Sequence, residues 1–216
     1  MENVLQFSLP DARLNRKNVL QIADCPKDSL AYDDVLEEYA ELESVFYETV
    51  NPQTRMLFDT IPTEIAAESL PVGTKVVYLM HTLGKEISEL STQAFRNSDY
   101  LKGMLVDAMA TSYLFEMDQK VQVILKEECA VRGFGIVRRL EAPRNIPMLA
   151  QKIAREKLFG EGSTVVTIAS SYMFDPPKTI CQIFVLSDDR DIFHSQHDCT
   201  DCESVQCAMR FRNVTR

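Results

Sequence analysis

Between Leu101 and Leu125 the chain carries one long helical stripe. Leu101, Met104, Leu105, Ala108, Met109, Ser112 and Phe115 share a face, continued by Val121, Ile124 and Leu125. Beyond Gly133 and Gly135 that spacing stops. Gly135–Leu140, Thr164–Ala169 and Thr179–Leu186 then have the β-branched, apolar character of strands. Helical stripes followed by strands, with no internal repeat and no low-complexity linker, predict an α+β domain in which a mostly antiparallel sheet is flanked by helices. That domain is expected over 1–187, with a polar, irregular tail over 188–216.

Upstream, Val4 to Leu9 is predicted as a short strand and Ala12 to Cys25 as a helix stopped by Pro26. Tyr32, Val35, Tyr39, Leu42 and Phe46 alternate steps of three and four, the stripe of an amphipathic helix that Asn51-Pro52 ends. Met56 to Ile61 is expected to be extended, with a short helix around Thr63 to Ser69. Lys75 to Met80, KVVYLM, has the composition of a buried strand and joins Gly135–Leu140, Thr164–Ala169 and Thr179–Leu186 in the predicted sheet. Gly84 to Phe95 is helical, and Ser98 is the expected cap of the long helix after it. Asn145 is the expected cap of a further helix, with Pro147 in its first turn.

The sequence carries 23 basic and 32 acidic residues, net −9, which argues against nucleic acid as a bulk ligand. The charge is uneven. Asp28 to Thr54 holds eight acids and no Lys or Arg, whereas Arg132 to Lys157 holds seven basic residues and two acids. Such asymmetry suggests one face for an acidic ligand and another for a basic partner; the alternative is two solvated helix faces. No run approaches the roughly 18 apolar residues of a membrane span. The N-terminus lacks the basic and apolar segments of an export signal. The expectation is therefore a cytoplasmic protein with reduced thiols.

The densest set of potential ligands lies in the tail. Cys199 and Cys202 have the spacing by which two thiolates hold one metal, and Cys207 adds a third within nine residues. Zn²⁺ and an iron–sulfur cluster both suit such donors, with a fourth ligand from His194, His197, Cys25, Cys129 or Cys181. A C-x-x-C redox dithiol is a further reading, as are three free thiols. Asp188 to Glu203 has only Ile192 and Phe193 to bury, so it is expected to bind metal or to be mobile. His81 follows a strand and is expected to be a hydrogen-bonded structural residue or to face a cleft. Asp107, inside LVDAMA, is expected to be a buried carboxylate accepting backbone N–H bonds. Arg138 and Arg139 end a strand before a Pro-containing loop, where a guanidinium can fork onto a carboxylate. Signatures of nucleophilic hydrolases, phosphate-binding loops and dinucleotide folds are absent from the sequence.

The stretch VVYLMHTLGKEISELSTQAFRNSDYLKGMLVDAMATSYLFE resembles the activation domain of cobalamin-dependent methionine synthase. The family signals fall on Thr82, Leu83 and Gly84, and on Asp107, Ala108 and Ala110. RRLEAPRNIPMLAQKIAREKLF is similar to the family's arginine, loop and following helix. TIASSYMFDPPKTICQIFVLSDD is similar to its Tyr- and Met-containing segment and the next strand. The resemblance covers roughly Val76 to Asp189 and suggests a free-standing relative. Cys199, Cys202, Cys207 and Arg210 match tails associated with such relatives.

The resemblance implies a domain that binds S-adenosylmethionine and docks on a corrinoid protein during reductive remethylation of cobalamin held by that partner. It implies a ligand site between the Arg138–Asn145 loop and Ser171–Pro176. Arg138 would hold the ligand's carboxylate, with Arg139 as the alternative in register. Tyr172, Met173 and Phe184 would offer apolar or stacking surfaces. Where the family has Gly-Tyr, this loop reads Leu-Glu-Ala-Pro-Arg-Asn. The competing reading is therefore a non-catalytic interaction module of the same fold, with a structural metal in the tail. A thiol oxidoreductase using Cys199 and Cys202 is the third.

Overall fold

The structure, a computed structural model, describes residues 4–7, 12–197 and 207. The elements run β1 (Leu5–Phe7), α1 (Arg16–Ile22), α2 (Tyr32–Thr49), β2 (Gln53–Thr60), a 3₁₀ turn (Thr63–Ile65), β3 (Lys75–Thr82) and α3 (Glu86–Arg96). There follow α4 (Tyr100–Arg132), β4 (Gly135–Leu140), α5 (Leu149–Phe159), β5 (Thr167–Ile168), β6 (Phe174–Asp175) and β7 (Thr179–Ser187). The main sheet has five strands in the order β1-β2-β3-β7-β4, paired antiparallel throughout.

β3 is the central strand, and alternate side chains divide between two cores. Val77 and Leu79 pack with residues of α2 and α4 on one face; Val76, Tyr78 and Met80 pack with residues of α5 on the other. A strand covered on both sides has no solvated face, which is why Val76–Met80 is apolar throughout. α2 buries the stripe read from sequence, Val35, Tyr39, Leu42 and Phe46. α4 is a 33-residue helix closed by Gly133 at φ 81°, a left-handed conformation that costs glycine little.

Several local expectations are corrected. Thr164–Ala169 is not a strand of the main sheet: only Thr167–Ile168 is extended, and it pairs with β6 in a separate two-stranded sheet. The main sheet instead takes β2, which pairs along its whole length with β3. α1 is shorter than Ala12 to Cys25. Asp99, not Ser98, caps α4, accepting from the Lys102 N–H at 3.3 Å. Asp107 is exposed and paired with Lys178 at 2.7 Å, so no buried carboxylate lies there. The helix after Asn145 begins later, at Leu149, without a side-chain cap.

The segment after β7 is not left loose. The Ile136 N–H donates to the Ile192 carbonyl and the His194 N–H to the Ile136 carbonyl, both at 2.8 Å, forming a parallel bridge on the edge of β4. Gly135 permits this approach. A Cβ there would lie 2.1 Å from the Asp189 carbonyl oxygen and 2.4 Å from that of Ile192. Backbone pairing thus orders residues that have little apolar area of their own. Among the described residues no helix is long and apolar enough to cross a membrane.

Candidate functional site

Strand parity places polar side chains together at one end of the sheet. Thr54, His81 and Gln182 share the sheet face of Met56, Leu79 and Phe184, which looks toward α4. Asp118 of α4 meets them there. It lies four residues after Leu114 and three before Val121, both buried, so it sits on the inward face of the helix. Gln182 donates to Asp118 Oδ1 at 2.7 Å and Gln122 donates to the same oxygen at 3.2 Å. His81 is fully buried; its Nδ1 is 3.1 Å from Thr54 Oγ1 and its Nε2 is 3.8 Å from Asp118 Oδ1. The structural reading of His81 holds.

The two arginines diverge because of a β-bulge. Between Ile136 and Arg138 the pairing with β7 slips, so Arg138 stands opposite Val185 and Arg139 opposite Phe184. Without the slip, two-residue alternation from the buried Ile136 would have turned Arg138 toward α4. Arg139 takes that position and donates to Asp118 Oδ2 at 2.9 Å and to Glu141 Oε1 at 2.9 and 2.6 Å. Arg138 is exposed and donates to the Ser69 carbonyl at 2.7 Å.

Burial by itself would raise the Asp118 carboxyl, but the Arg139 guanidinium, with the nearby His81 ring and a hydrogen bond from Gln182, holds it well below the usual carboxylate range. Glu141 is likewise opposed by burial and lowered by His197 and Arg139. Burial opposes the charge of Arg139, and the two carboxylates more than offset it, raising its pKa. The result is a continuous charged row, Asp118–Arg139–Glu141–His197, in which the last pair is 2.6 Å apart. His197 arrives from the strap fastened to β4, so the row joins the core to the C-terminal segment.

At its outer end the row opens into two adjoining hollows. One, of about 390 Å³, lies among Glu141, Ala142, Arg144, Met173, Phe174 and Pro177, with Cys181 at its wall. The other, of about 460 Å³, is lined by Arg138, Arg139, Arg144, Asn145, His194 and His197 among others. The loop between β4 and α5 is held in shape by Asn145. Its Oδ1 accepts from the Glu141 N–H at 2.6 Å and its amide donates to the Arg139 carbonyl at 3.4 Å. Asn145 therefore shapes the loop instead of capping a helix.

Opposite, Ala169–Met173 forms a tight hairpin. The Tyr172 N–H donates to the Ala169 carbonyl at 2.9 Å, and Tyr172 itself has φ 63°. A tyrosine in this left-handed region carries backbone strain of about 1 kcal/mol or more. Met173 is 59% exposed. Phe184, by contrast, is fully buried among core residues, so the stacking surface expected of it is closed. Burial, with Glu141 nearby, pushes the Cys181 thiol up to about 12, which keeps it protonated. Cys199 and Cys202 lie outside the described residues, and Cys207 is half-buried. Among the described residues no three His, Cys, Asp or Glu side chains gather as a metal site.

Chemically, the first hollow offers a carboxylate and a guanidinium, Glu141 and Arg144, next to apolar Met173, Phe174 and Pro177. That combination complements a zwitterionic molecule with an uncharged ring. Sequence reasoning found the two walls but missed Asp118 and Glu141, and read His197 as a possible metal ligand instead of the partner of Glu141. The signal available for Asp118 was a carboxylate in phase with the inward stripe of α4.

No protein-family model and no curated protein matches the chain. A crystal structure of the MetH reactivation domain bound to AdoHcy is similar to it, with TM-score 0.61 and 10% identity over 85% of this chain and 78% of that one. The chain has the fold of the MetH reactivation domain. At that identity the likeness concerns the fold: the α+β class, the antiparallel sheet and the helices over it.

Proposed function

We propose that the hollow between the 140–145 loop and the 172–177 segment binds an S-adenosyl ligand, and that the protein is accessory to a corrinoid protein. The observation that carries this reading is the meeting of those two segments across one hollow, with Glu141, Arg144, Met173 and Phe174 on its walls. The fold likeness supports it, since the MetH reactivation domain was crystallised with AdoHcy bound. Arg144, which faces both hollows, would hold the ligand's amino-acid carboxylate. Arg138 is the alternative, because among the described residues its guanidinium donates to the neutral Ser69 carbonyl and forms no ion pair. Glu141 would take the positive end, and Tyr172 and Met173 would cover the adenosine. S-adenosylmethionine supplies a methyl group when bound. The partner would hold the cobalamin whose reductive remethylation the chain supports.

Calorimetry of the full chain with S-adenosylhomocysteine and S-adenosylmethionine tests the site. Saturable binding, weakened on the order of tenfold or more in Arg144→Ala or Arg138→Ala, is expected. No heat at millimolar ligand would refute it. The second reading, an interaction module with no ligand site, is favoured by one observation: His197 already takes the second oxygen of Glu141. The thiols Cys199, Cys202 and Cys207 are proposed as ligands of a zinc or iron–sulfur centre. Elemental analysis of anaerobically prepared wild type and the three single Ser variants checks this, and wild type without zinc or iron would overturn it.

A further inference from the structure

We propose that a second cleft, between α1, the 23–27 turn and α4, binds a phosphate-bearing small molecule of nucleotide size. The cleft is roomy, about 1160 Å³, and its walls run counter to the net charge of the chain. Arg13, Arg16, Lys17, Lys27 and Lys120 line it, whereas the protein as a whole is net −9.

Elsewhere in the structure several lysines meet carboxylates: Lys75 meets Asp188, Lys152 meets Glu156, Lys157 meets Asp59 and Lys178 meets Asp107. Of the five cations, Arg16, Lys17, Lys27 and Lys120 form no ion pair among the described residues. Two acids also line the cleft, Asp24 and Glu116, and Glu116 accepts from the Asn18 side chain at 3.0 Å. Unpaired like charges on one concave wall repel each other and concentrate counter-ions in the space they share. An anion carrying more than one negative charge meets them at once, as a di- or triphosphate does.

Leu20 and Tyr32 add an apolar and an aromatic surface beside the cations, suited to the organic part of such a ligand. A large acidic partner fits less well. Tyr32 opens α2, and exposed Asp33, Asp34 and Glu37 follow it, so a macromolecule reaching over the rim would meet carboxylates. The sequence hid this site because its cations come from α1, a turn and the middle of α4, which only the packing of α1 on α4 brings together.

The test is calorimetric titration of the full chain with ATP, pyrophosphate and adenosine. ATP and pyrophosphate should bind saturably and adenosine far more weakly, and binding should fall about tenfold or more between about 50 and about 500 mM NaCl. Lys27→Glu with Lys120→Glu should weaken ATP on the order of a hundredfold. Lys152→Glu, on α5, should leave it within about twofold, and Arg144→Ala should not change it, which separates this cleft from the S-adenosyl hollow. Absence of saturable binding at millimolar ATP and pyrophosphate would overturn the proposal. So would an equal loss in Lys152→Glu, or binding of a polyglutamate peptide but of neither phosphate.

Discussion

Replacing Asp118 by Asn probes the charged row at its most buried member. In the wild type Oδ1 accepts from Gln182 and Gln122, and Oδ2 accepts from Arg139 at 2.9 Å. An asparagine can keep Oδ1 where it is, but its Nδ2 then points N–H groups at the guanidinium. The side chains of Asp118 and Arg139 are 15% and 9% exposed, so water cannot replace the lost bond. Breaking a buried pair by removing one partner costs about 3–5 kcal/mol. Glu141 still holds Arg139, which points to the lower end, about 3 kcal/mol. With a urea slope of about 2 kcal/mol per molar, the midpoint falls by about 1.5 M.

The pH profile provides a second reading. Asp118 and Glu141 have folded pKa values below their unfolded ones, so their contribution is fully present above the unfolded values of about 4. It is lost as pH falls through the folded values. Wild type should therefore lose stability steeply below about pH 4, and Asp118→Asn should lose less over the same range. Urea melts from neutral pH to about pH 2 measure both effects. A variant within about 1 kcal/mol of wild type at neutral pH, with an unchanged acid slope, would show that the ion pair does not hold this end of the sheet.

Other outcomes follow from single contacts. Gly135→Ala should destabilise by about 1–3 kcal/mol and speed amide exchange at His194, because its Cβ meets the Asp189 and Ile192 carbonyls; unchanged protection there would count against the strap. Tyr172→Gly should leave stability equal or raised by up to about 1 kcal/mol, since it relieves φ 63°, while lowering S-adenosylhomocysteine affinity; a clear fall in melting temperature would instead make Tyr172 a packing residue. Lys178→Ala should cost at most about 1 kcal/mol, because Asp107 is more than half exposed, as a thermal melt would show.

Much of the architecture was legible because the signal was local. α2 and the apolar face of α4 follow from spacing along one helix, and β3 from the five-residue apolar run Val76–Met80, as a strand covered on both faces requires. The resemblance in the loops at 138–145 and 171–177 also pointed to segments that do face each other across a hollow. The amino-acid sequence by itself thus determined the class of fold, the central strand, the inward helix faces and the walls of the candidate site.

Only the tertiary structure decided how those walls are charged. One extra residue in β4 exchanges Arg138 for Arg139, since a shift of one position in a strand turns a side chain to the other face, and no local pattern marks where a bulge falls. Thr164–Ala169 has strand-forming residues, but β2 already pairs with β3 along its full length, and β-propensity yields to available partners. Asp118, Glu141 and His197 stand far apart in sequence, and Asp107 looked the better buried carboxylate until Lys178 met it at the surface. Their partnership depends on α4 crossing the sheet and on a polar segment held to β4 by backbone hydrogen bonds, which do not depend on side-chain type except at position 135, where any Cβ would meet the Asp189 and Ile192 carbonyls.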